Sequence, residues 1–409
     1  MSRDLVIVGG AYAAVQIAAA ARAAGFAEPI RLVSAEPHLP YQRPPLSKGF
    51  LLGKVEADAL PQRAAAFYRE NAIDLVLGAP VEALDRQGRA VFTADGRRIP
   101  YGTLALATGA RPRLLMTPGG ELDGVLTLRT LDDSRAIRER LSSVGTAVVV
   151  GGGYIGLEVA AALATLGKKV TVIEAQGRLL ARAASAPLAD LVAEAHRARG
   201  VELRFHATLA RIDGAGGRVR SVETADGARL PADLVVIGIG VVPESGIAEA
   251  AGLPCQDGIL VDRHTRTADP AILAAGDCVR HPNPFAGRAL RLESVQHAVD
   301  QGKVAGAVAA GREASYDAVP WFWSDQYDLK LQSVGLADGY DRHVVRGAPE
   351  GGRFSIFYFR GDRLIAVDSV NRPGEHMTGR KLLAGATALT PAEAADPGFD
   401  LASRVAPAG

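Results

Sequence analysis

Cysteine is nearly missing from this 409-residue chain, which carries only Cys255 and Cys278. Two cysteines so placed cannot form a disulfide framework and supply neither a Cys-x-x-Cys nor a Cys-x-x-x-x-Cys redox pair, which argues against dithiol chemistry. Long apolar runs are missing too, since none approaches the roughly 18 to 20 residues that a membrane span needs. The first apolar strand, Leu5 to Val8, begins almost at the initiator Met, so no signal peptide and a reducing, cytoplasmic location are expected. Charge imbalance is absent: 46 basic residues face 45 acidic ones, for a formal net charge of +1. A nucleic-acid partner is therefore not indicated, because phosphate binding needs a basic domain or stripe. Lysine is scarce as well, at seven of the 46 basic residues, so any positive patch would favour the bidentate contacts of arginine.

What is present is 48% hydrophobic content over a length too great for one ordinary core, so two or three domains are expected. An internal duplication is the most informative feature: Leu5-Val-Ile-Val-Gly-Gly-Ala-Tyr-Ala-Ala14 is echoed by Ala147-Val-Val-Val-Gly-Gly-Gly-Tyr-Ile-Gly156. Each copy is an apolar strand, a Gly-rich turn and an Ala/Leu-rich helix, over Val15 to Ala24 and Leu157 to Leu166. The next buried strands, Ile30 to Ser34 and Val170 to Ile173, must run parallel to the first because a crossover helix joins them. Each half holds one more strand ending in Gly, at Thr108-Gly109 and at Gly240. From about Pro320 the texture changes; Arg353 to Arg360 and Leu364 to Val370 read as a hairpin turned at Gly361-Asp362. That predicts a smaller α+β domain at the end, followed after about Thr390 by an Ala/Pro-rich tail expected to be partly loose.

In a strand–turn–helix unit of this kind the first Gly makes the tight turn, the second lets backbone approach a pyrophosphate and the third allows close helix packing. The second copy is complete with Gly151, Gly153 and Gly156, and includes Tyr154 and Ile155. Glu174 follows 23 residues after Gly151, where a carboxylate bonds a ribose 2′-hydroxyl and repels a 2′-phosphate. NADH is favoured over NADPH, although Arg178 and Arg182 stand nearby. The first copy keeps Gly9 but carries Ala11 and Ala14 at the second and third positions, around Tyr12 and Ala13, with Glu36 27 residues after Gly9. It is assigned to the adenosine end of FAD.

Further segments are Tyr41-Gln-Arg-Pro-Pro-Leu-Ser-Lys48, Leu106-Ala-Thr-Gly-Ala-Arg-Pro112, Leu128-Arg-Thr-Leu-Asp132, Ala274-Ala-Gly-Asp-Cys278, Glu293-Ser-Val-Gln296 and Pro320-Trp-Phe-Trp-Ser-Asp-Gln326. With the two fingerprints, in this order, they resemble the FAD-dependent NADH:ferredoxin reductases of bacterial oxygenase systems, the putidaredoxin-reductase-like group, over nearly the whole chain. The resemblance implies a glutathione-reductase-like α/β fold of two Rossmann-like domains plus a small C-terminal α+β domain. The FAD domain (1–112 and 240–318) would be interrupted by the NAD domain (113–239), and the last domain (319–409) would cover the flavin.

The resemblance also assigns roles. Asp277 would bond the ribityl or pyrophosphate region, and Val295, opening a helix after Glu293, would offer its N–H to the pyrimidine end of the flavin. Val81 would hold adenine through its backbone, and Arg43 and Arg129 would reach the pyrophosphate. Lys48 would lie beside the isoalloxazine and pair with Glu158, which the helix reading puts in a first turn. Trp323 would stand by the flavin or on the route to an iron–sulfur partner, whereas on residues alone Trp321 and Trp323 are core aromatics of one strand face. His297 reads as a helix residue near the flavin rather than a base, and Cys278 as a small buried hydrophobe. Disulfide-reducing cousins hold their Cys pair where this chain reads Arg43 to Lys48, so the substrate is not a disulfide.

The implied activity is hydride transfer from NADH to flavin N5, then two single-electron transfers to a two-iron two-sulfur ferredoxin that supplies a monooxygenase or ring-hydroxylating dioxygenase. No metal site, nucleic acid or membrane enters, and a monomer or weak homodimer is expected. Two alternatives remain open on the same scaffold: an NADH oxidase or quinone reductase, and an apoptosis-inducing-factor-like flavoprotein whose binding responds to NADH.

Overall fold

The computed structural model describes residues 3–385 and 388–405. The chain divides into two compact units, one comprising Met1–Gln42, Leu60–Arg111 and Val242–Phe322, the other Arg43–Ala59, Pro112–Val241 and Trp323–Gly409.

The first unit is built on a five-stranded parallel sheet with the order Ile272–Ala274, Thr103–Leu106, Leu5–Val8, Ile30–Val33, Ile73–Val76. Its central strand, Leu5–Val8, has all four side chains buried. An unbroken apolar run is what a parallel strand covered on both faces requires. Tyr12–Ala23 packs on the helix Val295–Ala309 along Ala13, Gln16, Ile17, Ala20 and Ala21. Gly302 and Gly306 make that contact close: a Cβ on Gly306 would lie 2.4 Å from the carbonyl oxygen of Ile17. A three-stranded antiparallel sheet, Val81–Asp85, Ala90–Thr93 and Arg98–Pro100, completes the unit.

The second unit repeats the design. Its parallel sheet runs Glu202–Arg204, Lys169–Ile173, Thr146–Val150, Leu234–Ile237, Val125–Thr127, with the helix Tyr154–Thr165 after the central strand. It also holds a three-stranded antiparallel sheet over residues 209–231 and a five-stranded antiparallel sheet in the order Trp321–Gln326, Leu329–Gly335, Arg363–Val370, Arg353–Arg360, Arg342–Ala348. The mixed α/β architecture and the hairpin closing the chain's last sheet match the sequence reading. The tail does not: Thr390 caps a helix, Pro391–Ala395, through a reciprocal bond pair with Glu393, and Leu401–Arg404 forms a further helical turn. Such a capping box holds a short helix that composition alone would leave loose.

Both fingerprint helices start three residues earlier than their apolar periodicity suggests, at Tyr12 and Tyr154. Glu158 is consequently the fifth residue of its helix rather than a first-turn residue, and it faces inward at 3% exposure. Among the described residues no helix is long and apolar enough to cross a membrane.

Candidate functional site

The two Gly-rich turns are shaped for different reasons at different positions. Gly9 (φ +143°) and Gly151 (φ +108°) sit where a Cβ would collide with the carbonyl oxygens of Ala107 (2.2 Å) and Gly238 (2.4 Å), so only glycine makes these turns. Gly156 is needed for packing, since its Cβ would lie 2.3 Å from the Gly151 carbonyl oxygen. Gly153 is different: the nearest atom to a Cβ there is the Gly238 oxygen, 4.0 Å away. The fold itself does not require glycine at that position. Ala11, its counterpart, has φ −124°, an extended backbone that alanine adopts without strain, and Ala14 packs fully buried in its helix. The departures from glycine in the first copy therefore cost the fold nothing.

Neither fingerprint helix is capped by a side chain. Ala11 and Gly153 are the N-cap residues, and no acidic residue stands in either first turn. Elsewhere Thr130, Ser185, Ser294 and Thr390 supply side-chain caps. A helix N-terminus with no side-chain cap is what a pyrophosphate binds, so both cradles fit a dinucleotide. Ile155 is exposed beside the second cradle.

Each cradle has its carboxylate. Glu174 accepts from the backbone N–H of Gly152 and of Gln176, both at 2.7 Å, which fixes it against the Gly-rich turn. Arg178 gives its guanidinium to the carbonyls of Leu179, Ala181 and Ala184 and is committed to its own loop. Arg182 extends toward the Ile239 carbonyl and Gly240. In the first unit Glu36 accepts from the Tyr41 hydroxyl at 2.5 Å.

Six more expected residues belong to the first unit. Gly276, at φ +88°, approaches Ala13 so closely that a Cβ would meet the Ala13 methyl at 3.1 Å, and this brings Asp277 to the start of the first fingerprint helix. Its N–H is held by Gln301 Oε1 at 2.9 Å. Thr108 donates to the Glu244 carbonyl at 2.5 Å, and Glu244 N–H returns to Gly109. Val295 opens its helix behind Ser294, and Glu293 pairs with Arg291. Val81 begins the first strand of the small antiparallel sheet.

His297 is fully buried, with Nδ1 3.0 Å from the Tyr316 hydroxyl and its ring 4.7 Å from that of His281. Burial, followed by the neighbouring imidazole, keeps His297 well below the ordinary histidine range. Cys278 is buried and free, its thiol pushed up by desolvation, the opposite of an activated nucleophile.

In the second unit the turn Pro44–Ser47 delivers two side chains to Glu158. Lys48 Nζ lies 2.8 Å from Glu158 Oε1, and Ser47 donates to Oε2 at 2.5 Å. Ser324 donates to Oε1 at 2.6 Å. The pair is buried, with side-chain exposures of 18% for Lys48 and 2% for Glu158; each carboxylate oxygen nonetheless has donors, as a buried charge requires. Arg43 donates to the Arg129 carbonyl at 2.7 Å. Tyr154 bonds Ser333 beside the buried Asp368, and burial raises its phenol above the usual range. Trp321 and Trp323 share one face of their strand, alternating with Ser324 and Gln326 on the other. Sequence reasoning followed the tryptophan face and passed over Ser47, Ser324 and Gln326, whose burial only the packing of the fold reveals.

Two dinucleotide cradles on duplicated α/β sheets, with no cysteine pair beside them, define an oxidoreductase of the two-nucleotide class. The chain belongs to the pyridine nucleotide-disulphide oxidoreductase family, whose model matches residues 3–302, and a Reductase C-terminal model follows over 321–405. It is 45% identical to rhodocoxin reductase of Rhodococcus erythropolis over 403 residues, covering 98% of this chain and 94% of that one. The solved ferredoxin reductase of the CYP199A2 system from Rhodopseudomonas palustris superposes with a TM-score of 0.96 at 41% identity, over 99% of this chain and 100% of that chain. The covalent putidaredoxin reductase–putidaredoxin complex gives 0.94 at 39% identity, over 98% and 97%.

Proposed function

We propose that this chain is an FAD-dependent NADH:ferredoxin reductase whose acceptor is a two-iron two-sulfur ferredoxin serving a monooxygenase or ring-hydroxylating dioxygenase. The supporting observation is that similarity to named ferredoxin-type reductases runs through both cradles and on through the C-terminal sheet. In the solved complex a putidaredoxin reductase is joined covalently to putidaredoxin.

The chemistry that bound FAD would supply is acceptance of a hydride from NADH and release of electrons singly. The protein supplies binding and orientation. The helix N-terminus at Ala11–Ala14, which has no side-chain cap, with Gly9, Tyr12 and Asp277 would hold the FAD pyrophosphate, Glu36 its adenosine ribose and Val81 the adenine. Thr108, Gly109, Glu293 and Val295 support the flavin side, with Arg43 and Arg129 reaching the phosphates. Gly151, Gly153, Tyr154, Ile155 and Gly156 hold NADH, with Glu174 on its ribose and Arg182 and Gly240 at the rim. Lys48, Glu158 and Trp323 are our assignment for the isoalloxazine. A flavin portion over 1–112 and 240–318, an NAD portion over 113–239 and a covering portion from 319 onward remain our assignment. So does a monomer or weak dimer.

The acceptor is settled by steady-state turnover of the FAD-loaded protein with NADH and, in turn, a two-iron ferredoxin, a rubredoxin, a quinone and dioxygen. The ferredoxin is expected to be fastest by at least tenfold. Faster turnover with quinone or dioxygen would support the oxidase reading instead.

A further inference from the structure

Glu158 is the end of a longer hydrogen-bond chain. Ser324 Oγ, bonded to Glu158 Oε1, lies 3.2 Å from Gln326 Nε2. Gln326 Oε1 lies 2.9 Å from His196 Nε2, and His196 Nδ1 lies 3.1 Å from the Tyr327 hydroxyl. Ser324, Gln326 and His196 are each at most 1% exposed.

The hydrogens can be assigned by counting donors. An ionised carboxylate only accepts, so Ser324 must give its single proton to Glu158, and its oxygen then accepts from the Gln326 amide N–H. That leaves Gln326 Oε1 to accept, which makes His196 the Nε2–H tautomer, with Nδ1 accepting from Tyr327. Every link therefore points its donor toward Glu158. Desolvation lowers the His196 pKa and keeps the ring neutral, and it raises the Tyr327 hydroxyl to about 12, so both groups hold the protons this order needs.

The turn bearing Tyr327 is built at a cost. Tyr327 sits at φ +56°, between the strands Trp321–Gln326 and Leu329–Gly335, a conformation that Gly or Asn takes more easily. Its ring is held by the Arg199 guanidinium, 4.3 Å from the centroid, and Arg199 is itself paired with Asp328. A bulky residue kept at a strained turn position points to a use for its side chain.

We propose that His196 is a positioning residue for the Lys48–Glu158 pair, acting through Gln326 and Ser324 to direct a single-sense chain of donors at the Glu158 carboxylate. The inference rests on the reading that this pair faces the flavin. The chain aligns dipoles rather than carrying protons, because the amide at its middle does not pass a proton on. It stabilises negative charge on Glu158 and fixes which oxygen meets Lys48.

The test uses the full FAD-loaded chain. Imidazole 15N NMR of the unaltered protein is expected to show His196 as the neutral Nε2–H tautomer across pH 6 to 8; the Nδ1–H tautomer would overturn the proposal without any substitution. His196→Phe, which keeps the ring but removes both nitrogens, is expected to shift the flavin midpoint potential and slow hydride transfer roughly 5-fold, about the value of one hydrogen bond. His196→Gln, which keeps a donor near Nε2, is expected to recover most of both. Glu158→Gln separates the two ideas. If it moves potential and rate while His196→Phe moves neither, the chain to His196 is structural only; if Glu158→Gln itself changes nothing, the flavin-facing pair is wrong and the proposal falls with it.

Discussion

Ser324 Oγ and Lys48 Nζ meet on one oxygen of Glu158, at 2.6 and 2.8 Å. The carboxylate thus combines a charge partner from the turn after Pro44 with a neutral donor from the first strand of the C-terminal sheet. Breaking a buried pair from one side leaves an uncompensated charge, at a cost of about 3–5 kcal/mol. Lys48→Met is expected to lower the melting temperature and slow flavin reduction by NADH, and the double variant Lys48→Met/Glu158→Gln to regain stability but not rate. Thermal unfolding together with anaerobic flavin reduction checks this; equal stability of the single and double variants would show the pair to be uncoupled.

On the proposed assignment, coenzyme choice turns on Glu174, whose carboxylate is fixed by two backbone N–H groups while Arg178 is engaged with carbonyls. Glu174→Ala is expected to reduce the ratio of kcat/KM for NADH over NADPH by about tenfold, corresponding to roughly 1.4 kcal/mol, mainly through a higher KM for NADH. An unchanged ratio would remove Glu174 from the ribose.

The glycines of the second cradle separate folding from binding. Gly156→Ala meets the Gly151 carbonyl at 2.3 Å and is expected to lower stability, whereas Gly153→Ala enters open space and is expected to leave the melting temperature within about a degree while raising KM for NADH severalfold. Thermal scans with and without NADH read the two effects apart.

Buried imidazoles set the acid limb of stability. Burial lowers the pKa of His281 from 6.5 to about 4, and it also holds His297 well below the ordinary histidine range. Between those values the unfolded chain binds protons that the folded chain refuses. The stabilisation is therefore complete above about pH 6.5 and is lost as the pH falls toward 4, each histidine contributing up to ~1.4 kcal/mol per pH unit. His281→Phe is expected to flatten the fall of stability over this window, measured by urea unfolding; an unchanged slope would mean that His281 is not buried neutral.

Much of this was legible because it is local. Strand, turn and helix in each fingerprint follow from a few adjacent residues, and Gly9 and Gly151 announce the turns that need them. Lys48 with Glu158 emerged from resemblance rather than from pattern, since the two lie 110 positions apart. His196, Ser324 and Gln326 gave no sign, because a buried polar chain is defined by which distant elements pack together, and polar residues on a strand look the same whether they face solvent or one another. The start of each fingerprint helix was misplaced because Gly and Tyr mask the apolar periodicity there. The capped helix at Pro391–Ala395 was hidden by a composition that also suits a loose tail.

The most direct measurement is the electron count. The FAD-loaded protein, held without oxygen, would be given a limiting amount of NADH and an excess of oxidised two-iron ferredoxin, and the reduced ferredoxin formed would be read from its visible spectrum. Two ferredoxins reduced for each NADH consumed is the expected result, since a hydride carries two electrons and each cluster takes one. NADH oxidised with no ferredoxin reduced, or a flavin that stays reduced in its presence, would contradict the account.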